Sequence, residues 1–256
     1  MSDYDLGTMS APGAPNRRER LRAQTLAELK ELALAQIAEG GPEAVSLNGI
    51  ARSMGMSGPA LYRYFASRDD LLATLVADSY NELADALESA GEAARRRAPA
   101  ARFRALAAAY REWALTHPHR YRLVFSTAYG SGRVGSGDTV PPAHRSMLSI
   151  LGAVADLGPA AGARSGKVSS LDRQLERWAE ARSGRDGLPA ATLWLGILTW
   201  TRLHGVLSLE IEGVFEAMGL DPALIFAAEV EQLIAQRRAL TPGDGRASAP
   251  SSPSPD

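Results

Sequence analysis

Residues 46–72 read SLNGIARSMGMSGPALYRYFASRDDLL and constrain the chain more than any other stretch. Leu47, Ile50, Ala51 and Met54 recur at i, i+3, i+4 and i+7, the spacing of one buried helical face. Ser46 stands just ahead of them, where a hydroxyl can accept from a first-turn amide. Gly55 can enter the left-handed conformation that ends a helix. Ser57 is a second N-cap, and Pro59 suits the first turn of the helix it opens. Two short helices joined by a three- or four-residue turn containing glycine make a helix-turn-helix.

The second of these helices presents its residues in a way that suits DNA. At about 100° per residue, Leu61 and Phe65 face the first helix, while Pro59 and Arg63 point away from it. Tyr62 and Tyr64 flank that outward pair. A recognition helix in a major groove needs outward residues for base edges and hydroxyl-bearing shoulders for the phosphates. Ser67 caps a further helix, and Arg68 in its first turn is placed for another phosphate. A helical hairpin inside an all-α core, with tyrosines merely lining a surface, is the competing reading. Two tyrosines and two arginines around one short helix weigh against it.

The stretch IARSMGMSGPALYRYFASRDDLL resembles the DNA-binding signature of the TetR family of bacterial transcriptional regulators, and the likeness covers residues 22–80. It implies an all-α fold: three N-terminal helices that bind DNA, and a helical C-terminal domain that dimerises and binds an effector. The DNA contacts it implies come from Ser46, Arg52, Ser57, Gly58, Pro59, Ala60, Tyr62, Arg63, Tyr64 and Arg68. Gly58 stands where a basic or polar residue is frequent, and Tyr64 and Arg68 replace a common histidine and lysine.

Charge agrees with this locally rather than globally. The formal net charge is −1, yet residues 16–68 carry eight Arg or Lys against five Glu, a net +3 where phosphate contacts would be made. Cysteine is absent, which excludes a disulfide framework, thiol catalysis and cysteine-based metal sites. No apolar run approaches a membrane span and the N-terminus lacks a secretory apolar region, so a cytoplasmic protein is expected.

Residues 1–16 are expected to form a disordered arm. The basic run Arg17, Arg18, Arg20 and Arg22 either reaches the neighbouring DNA backbone or minor groove, or is simply a solvated helix start. A first helix should run to about Glu39 on Leu29, Ala33 and Ile37, ended by Gly40, Gly41 and Pro42. The DNA-binding domain thus spans 17–68. A connecting helix over 69–90 follows, with a stripe from Leu72 to Leu87, and begins a helical effector-binding and dimerisation domain over 69–240.

The next helix of that domain carries Phe103, Leu106, Tyr110 and Trp113. His117 and His119 flank Pro118 with no third ligand at metal spacing, so turn roles are expected. Residues 130–142, with four glycines and two prolines, read as a flexible loop, and 158–166 as another break. Leu171, Leu175 and Trp178 indicate a helix ending near Gly184. Residues 188–209 are apolar nearly all round, implying burial on both sides, with a partner subunit as the second cover. A last helix from Pro222 to Arg238, capped by Asp221, should turn Leu224, Ile225, Ala228, Leu233 and Ile234 inward. These last two helices resemble the four-helix dimer interface of TetR-type regulators. Residues 241–256 should be a disordered tail.

Trp200, His204 and Gly205 resemble the W…HG signature of the WHG-type C-terminal domain in this family, and WALTHPHRYRLVF is similar to a stretch of the same class. His204 lies one turn from Trp200. It reads first as a hydrogen-bonded core histidine beside a close helix contact at Gly205, a role that can coexist with ligand binding. Trp113, Phe125, Trp194, Trp200 and His204 are the candidate ligand residues.

The leading expectation is a homodimeric repressor of a palindromic double-stranded DNA operator, released by a small apolar or amphipathic effector, with no cofactor, metal or membrane partner. A DNA-binding regulator without a small-molecule ligand, controlled by abundance or a protein partner, is the alternative. An enzyme using His117, His119 or His204 as a base ranks far below, because no nucleophile–base pair, metal triad or phosphate loop accompanies them.

Overall fold

Asn16 opens the first helix, α1 (Arg17–Gly40), through a reciprocal capping box. Its side chain accepts from the Glu19 amide and its own amide donates to the Glu19 carboxylate, both at 2.9 Å. The computed structural model describes residues 16–125, 140–158, 169–183 and 190–238. The chain divides into two units, Met1–Leu75 and Val76–Asp256, and the described residues of both are helical, without a strand.

In the first unit, Leu29, Ala33 and Ile37 are the buried face of α1, as their spacing requires. Gly41, at φ +74°, turns the chain into one 3-10 turn over Pro42–Ala44. Next come α2 (Leu47–Ser53) and α3 (Gly58–Leu61). The Ser46 hydroxyl accepts from the Gly49 amide at 3.1 Å, while the Ser46 amide donates to Gln36 on α1 at 2.8 Å. One residue therefore starts α2 and ties it to α1. Gly55, at φ +65°, ends α2 as expected: its amide donates to the Arg52 carbonyl, and the Met56 amide donates back to Ala51 at 2.8 Å. Leu47, Ile50, Ala51, Leu61 and Phe65 close the core between these helices.

Two expectations need correction here. The Ser57 hydroxyl makes no capping bond, although its carbonyl accepts from Ala60 and Leu61. The second helix is also a single turn. After Leu61 the chain tightens, with Tyr64 donating to Leu61 at 2.8 Å, so Tyr62, Arg63 and Tyr64 sit in a turn rather than on a regular helix. The inward pair still points inward, because the Phe65 amide also donates to Leu61.

α4 (Arg68–Ala93) is unbroken across the boundary between the units. It begins on Ser67, whose hydroxyl accepts from Asp70 at 3.1 Å, while the Asp70 carboxylate accepts from Ala66 at 2.9 Å.

The second unit contains the rest of α4 and seven further helices among the described residues: α5 (Pro99–Thr116), α6 (Pro118–Phe125), α7 (Val140–Asp156), α8 (Ser170–Ser183), α9 (Ala190–Ile211), α10 (Val214–Ala217) and α11 (Pro222–Arg238). The main core gathers Leu83 and Leu87 of α4, Phe103 and Tyr110 of α5, Val124 of α6, Leu203 and Leu207 of α9, and Phe226 and Ile234 of α11. A smaller one joins Leu151, Leu175 and Leu193.

Several sequence expectations for this unit shift. α7 has no counterpart in the sequence reading and starts at Val140, inside the stretch read as a loop; residues 130–139 of that stretch lie outside the described residues. So do the arm up to Pro15, the tail and most of the break over 158–166. α9 finds much of its cover within its own chain, since α5, α7, α8 and α11 pack on it, while Leu209 near its end stays exposed. α11 has the expected bounds and its Asp221 cap, which accepts from Ala223 at 2.8 Å. Its inward residues, however, are Phe226, Val230, Leu233 and Ile234, while Leu224 is 69% exposed and Ala228 is exposed. The helix carries apolar residues on two faces, and packing on α5 and α9 selects one. Gly205 is not the close contact either: a Cβ there would meet nothing within 4 Å among the described residues, whereas one on Gly196 would come 2.2 Å from Leu151.

Candidate nucleic-acid interface and ligand cavity

The first unit presents most of its expected DNA-facing residues on its surface. Ser46, Arg52, Ser57, Pro59, Tyr62 and Arg63 are exposed, and Gly58, Ala60 and Tyr64 are half-buried. Tyr62 is 50% exposed, a large ring left in water by the turn that follows α3.

Arg22 of α1 stands 5.8 Å over the ring of Tyr64. This cation–π contact joins the basic start of α1 to the recognition turn, and sequence spacing carries no signal for it. Arg68 is placed differently from the rest. Its guanidinium donates to the Pro42 carbonyl at 2.6 Å and to the Glu43 carboxylate at 2.9 Å, with Asp69 at 3.7 Å. It ties the start of α4 to the turn after α1, so part of its hydrogen-bonding capacity is engaged within the unit.

The second unit holds a cavity of about 240 Å³. Tyr80, Leu83 and Leu87 of α4 form one wall and His144, Ser146, Met147 and Ile150 of α7 another. Tyr110, Phe125, Trp178 and Trp200 supply an aromatic lining. Of the candidate ligand residues, Phe125 and Trp200 are brought together here. Trp113 is buried in the main core beside His117, and Trp194 packs on the smaller core; neither lines the cavity. Trp178, not among those candidates, does line it, because α7 brings His144 edge-on to its ring at 6.4 Å.

His204 lies behind the Trp200 ring, stacked on it at 5.4 Å. The Tyr121 hydroxyl is 2.7 Å from its Nδ1, 3.1 Å from Ser208 Oγ and 3.2 Å from the His204 carbonyl. Tyr110 approaches the same Nδ1 at 3.5 Å. Burial lowers the pKa of His204, and burial raises those of Tyr80, Tyr110 and Tyr121. The cluster is therefore neutral near pH 7: a hydrogen-bonded polar core behind an apolar chamber. His117, by contrast, serves a helix end, with Nδ1 3.1 Å from the Trp113 carbonyl.

Two helices beside this chamber, α6 and α7, grip α4 through arginine. Arg120 of α6 pairs with Glu82. Arg145 of α7 reaches Asp85 at 2.7 Å and Glu88 at 2.6 Å, next to Asn81. Arg145 sits between two cavity-lining residues, His144 and Ser146.

Comparison with known proteins agrees with these features. Residues 30–75 match the family described as bacterial regulatory proteins, tetR family, and residues 103–233 match the tetracyclin repressor-like C-terminal domain. The HTH-type transcriptional regulator Rv1816 of Mycobacterium tuberculosis strain H37Rv is 31% identical over 226 residues, covering 86% of this chain and 94% of that protein. The Mycobacterium bovis regulator Mb1846 matches equally. Among solved structures, SCO4313 shares 40% identity with a TM-score of 0.71 over 87% of this chain and all of that one. A protein of unknown function from Rhodococcus sp. RHA1 shares 25% identity with a TM-score of 0.61, over 84% of this chain and 94% of its own. With a helix-turn-helix unit and a C-terminal helical unit that both match, the chain belongs to the TetR family of DNA-binding transcriptional regulators and is not an enzyme.

Proposed function

We propose that the protein is a homodimeric repressor that leaves a pseudo-palindromic operator when a small molecule fills the cavity of its second unit. The observation that carries this reading is the position of the cavity against α4. Tyr80, Leu83 and Leu87 line the chamber on a helix that runs without a break from Arg68, directly after the recognition turn. A ligand that alters the seat of α4 has differential affinity for two settings of that helix, which is what linkage to DNA binding requires.

Pro59 and Arg63 are assigned to base edges, and Ser46, Arg52, Ser57, Tyr62 and Tyr64 to the backbone, with Gly58 and Ala60 allowing close approach. The exposed apolar set Leu209, Val214, Met218, Leu220 and Leu224 supports a dimer face around α10 and the start of α11. Footprinting on genomic fragments recovered with the protein, alongside sizing of the complex, tests the reading. Protection of two related half-sites about 34–36 Å apart, or a multiple of it, by a dimer is expected. A monomer on one asymmetric half-site would overturn it.

A further inference from the structure

The chemistry of the cavity lining goes further than its existence. This inference rests on the reading that the chamber holds an effector. Among the described residues that line it there is no Asp, Glu, Lys or Arg. Charges on the helices beside it are paired with one another: Arg120 with Glu82, and Arg145 with Asp85 and Glu88. His204, at the back, is hydrogen-bonded to Tyr121 and kept neutral by burial. A charged ligand would shed its water here with no fixed charge among the described lining residues and only the His144 imidazole able to gain one, a loss that hydrogen bonds from neutral groups do not offset.

On this lining, the Tyr80 hydroxyl stands apart from the pairing among the described residues. Tyr80 faces Phe125 edge-on at 6.2 Å, and its hydroxyl has no hydrogen bond to any described residue. Tyr80 is half-buried and stands on the lining of the chamber, so its hydroxyl is left to pair with a molecule held there. Tyr110, the other lining tyrosine, already faces His204 and Tyr121. The aromatic faces of Phe125, Trp178 and Trp200 favour a flat partner that can stack or meet them edge-on. Packed to the density of a protein interior, 240 Å³ holds roughly a dozen non-hydrogen atoms.

We propose that the cavity binds an uncharged, largely apolar aromatic molecule of two-ring size, whose single hydrogen-bonding oxygen is met by the Tyr80 hydroxyl, and that it rejects carboxylates and amines of the same shape.

Four probes of one shape test this on the full-length protein: 2-naphthol, naphthalene, 2-naphthoate and 2-naphthylmethylammonium, titrated at pH 7.5 against intrinsic tryptophan emission and by calorimetry. The expected order is 2-naphthol first, naphthalene about fivefold weaker for want of the hydrogen bond, and both ions weaker by roughly a hundredfold or more. Tyr80→Phe should weaken 2-naphthol about fivefold and leave naphthalene unchanged. Equal or tighter binding of either ion overturns the proposal. So does an equal loss of both neutral probes in Tyr80→Phe, or no binding by any probe while circular dichroism shows the fold intact. Operator affinity measured in the same samples separates this from the regulatory reading. Neutral probes that bind through Tyr80 without releasing operator sink the regulation and keep the ligand class. Release by an ion does the reverse.

Discussion

The Tyr121 hydroxyl lies 2.7 Å from Nδ1 of His204, within a buried set that also holds Tyr110 and Ser208. The Tyr121 hydroxyl also donates to the His204 carbonyl, so the direction of its contact with Nδ1 follows the imidazole tautomer, and burial of the ring is what disfavours the charged form. Burial lowers the folded-state pKa of His204 below 6.5. The unfolded chain therefore binds more protons as pH falls through the unfolded value, and stability must fall with it. The contribution of His204 is complete above about pH 6.5 and is lost between there and its lower folded pKa. Melting of wild type and His204→Gln from pH 8 to pH 5 checks this. The wild type should lose more melting temperature than the variant over that window; parallel curves would mean that His204 titrates normally.

Gly196 and Gly205 make a paired test of packing on α9. Gly196→Ala drives a methyl group to 2.2 Å from the Leu151 side chain, where the two helices meet. It should destabilise by about 1–3 kcal/mol through overpacking. Gly205→Ala meets open space and replaces a poor helix former, so it should stabilise by about 0.5–1 kcal/mol. Denaturant unfolding of both variants decides the pair, and the opposite signs would place the close contact at Gly205 after all.

Much of this architecture is legible in the sequence, for reasons particular to each element. The helix-turn-helix is readable because Ser46, Gly55 and the face of Leu47, Ile50 and Ala51 make independent local statements that agree. The capping box of Asn16 and Glu19 was equally local, and its N-x-x-E spacing could have announced it. α7 is harder, since two prolines at its start read as loop punctuation although proline is well tolerated in a first helical turn. The face of α11 was ambiguous because Leu224, Ile225 and Ala228 form one apolar row and Phe226, Val230 and Leu233 another. Only tertiary packing selects between them. The cavity follows the same rule: Phe125 and Trp200 are legible as aromatics on apolar helical segments, but Tyr80 and Trp178 reach it from α4 and α8, which no local pattern joins.

Arg63 and Arg68 should separate specificity from stability. Arg63 is exposed, so Arg63→Ala should leave unfolding unchanged and relax preference at one position per half-site by roughly 1–3 kcal/mol. Arg68 holds Pro42 and Glu43, so Arg68→Ala should destabilise the first unit by about 1–3 kcal/mol and weaken all DNA sequences alike. Binding to a randomised operator library, read beside urea unfolding, distinguishes them. Matching specificity profiles would erase the division.

Arg145 is expected to carry the response rather than the ligand. It pairs with Asp85 and Glu88 and does not line the cavity. Arg145→Ala should hold 2-naphthol within about twofold of wild type and cost about 1 kcal/mol of stability or less, as expected for a part-exposed ion pair. The release of operator by that probe should shrink. Loss of probe binding itself would instead make Arg145 part of the chamber.

The most direct test of the account is a two-way titration of operator and 2-naphthol on the wild-type protein. If cavity occupancy governs DNA binding, saturating 2-naphthol should weaken operator affinity about tenfold, roughly 1.4 kcal/mol of coupling, and operator-bound protein should bind 2-naphthol weaker by the same factor. An operator isotherm that does not move when the cavity is shown to be full would contradict it.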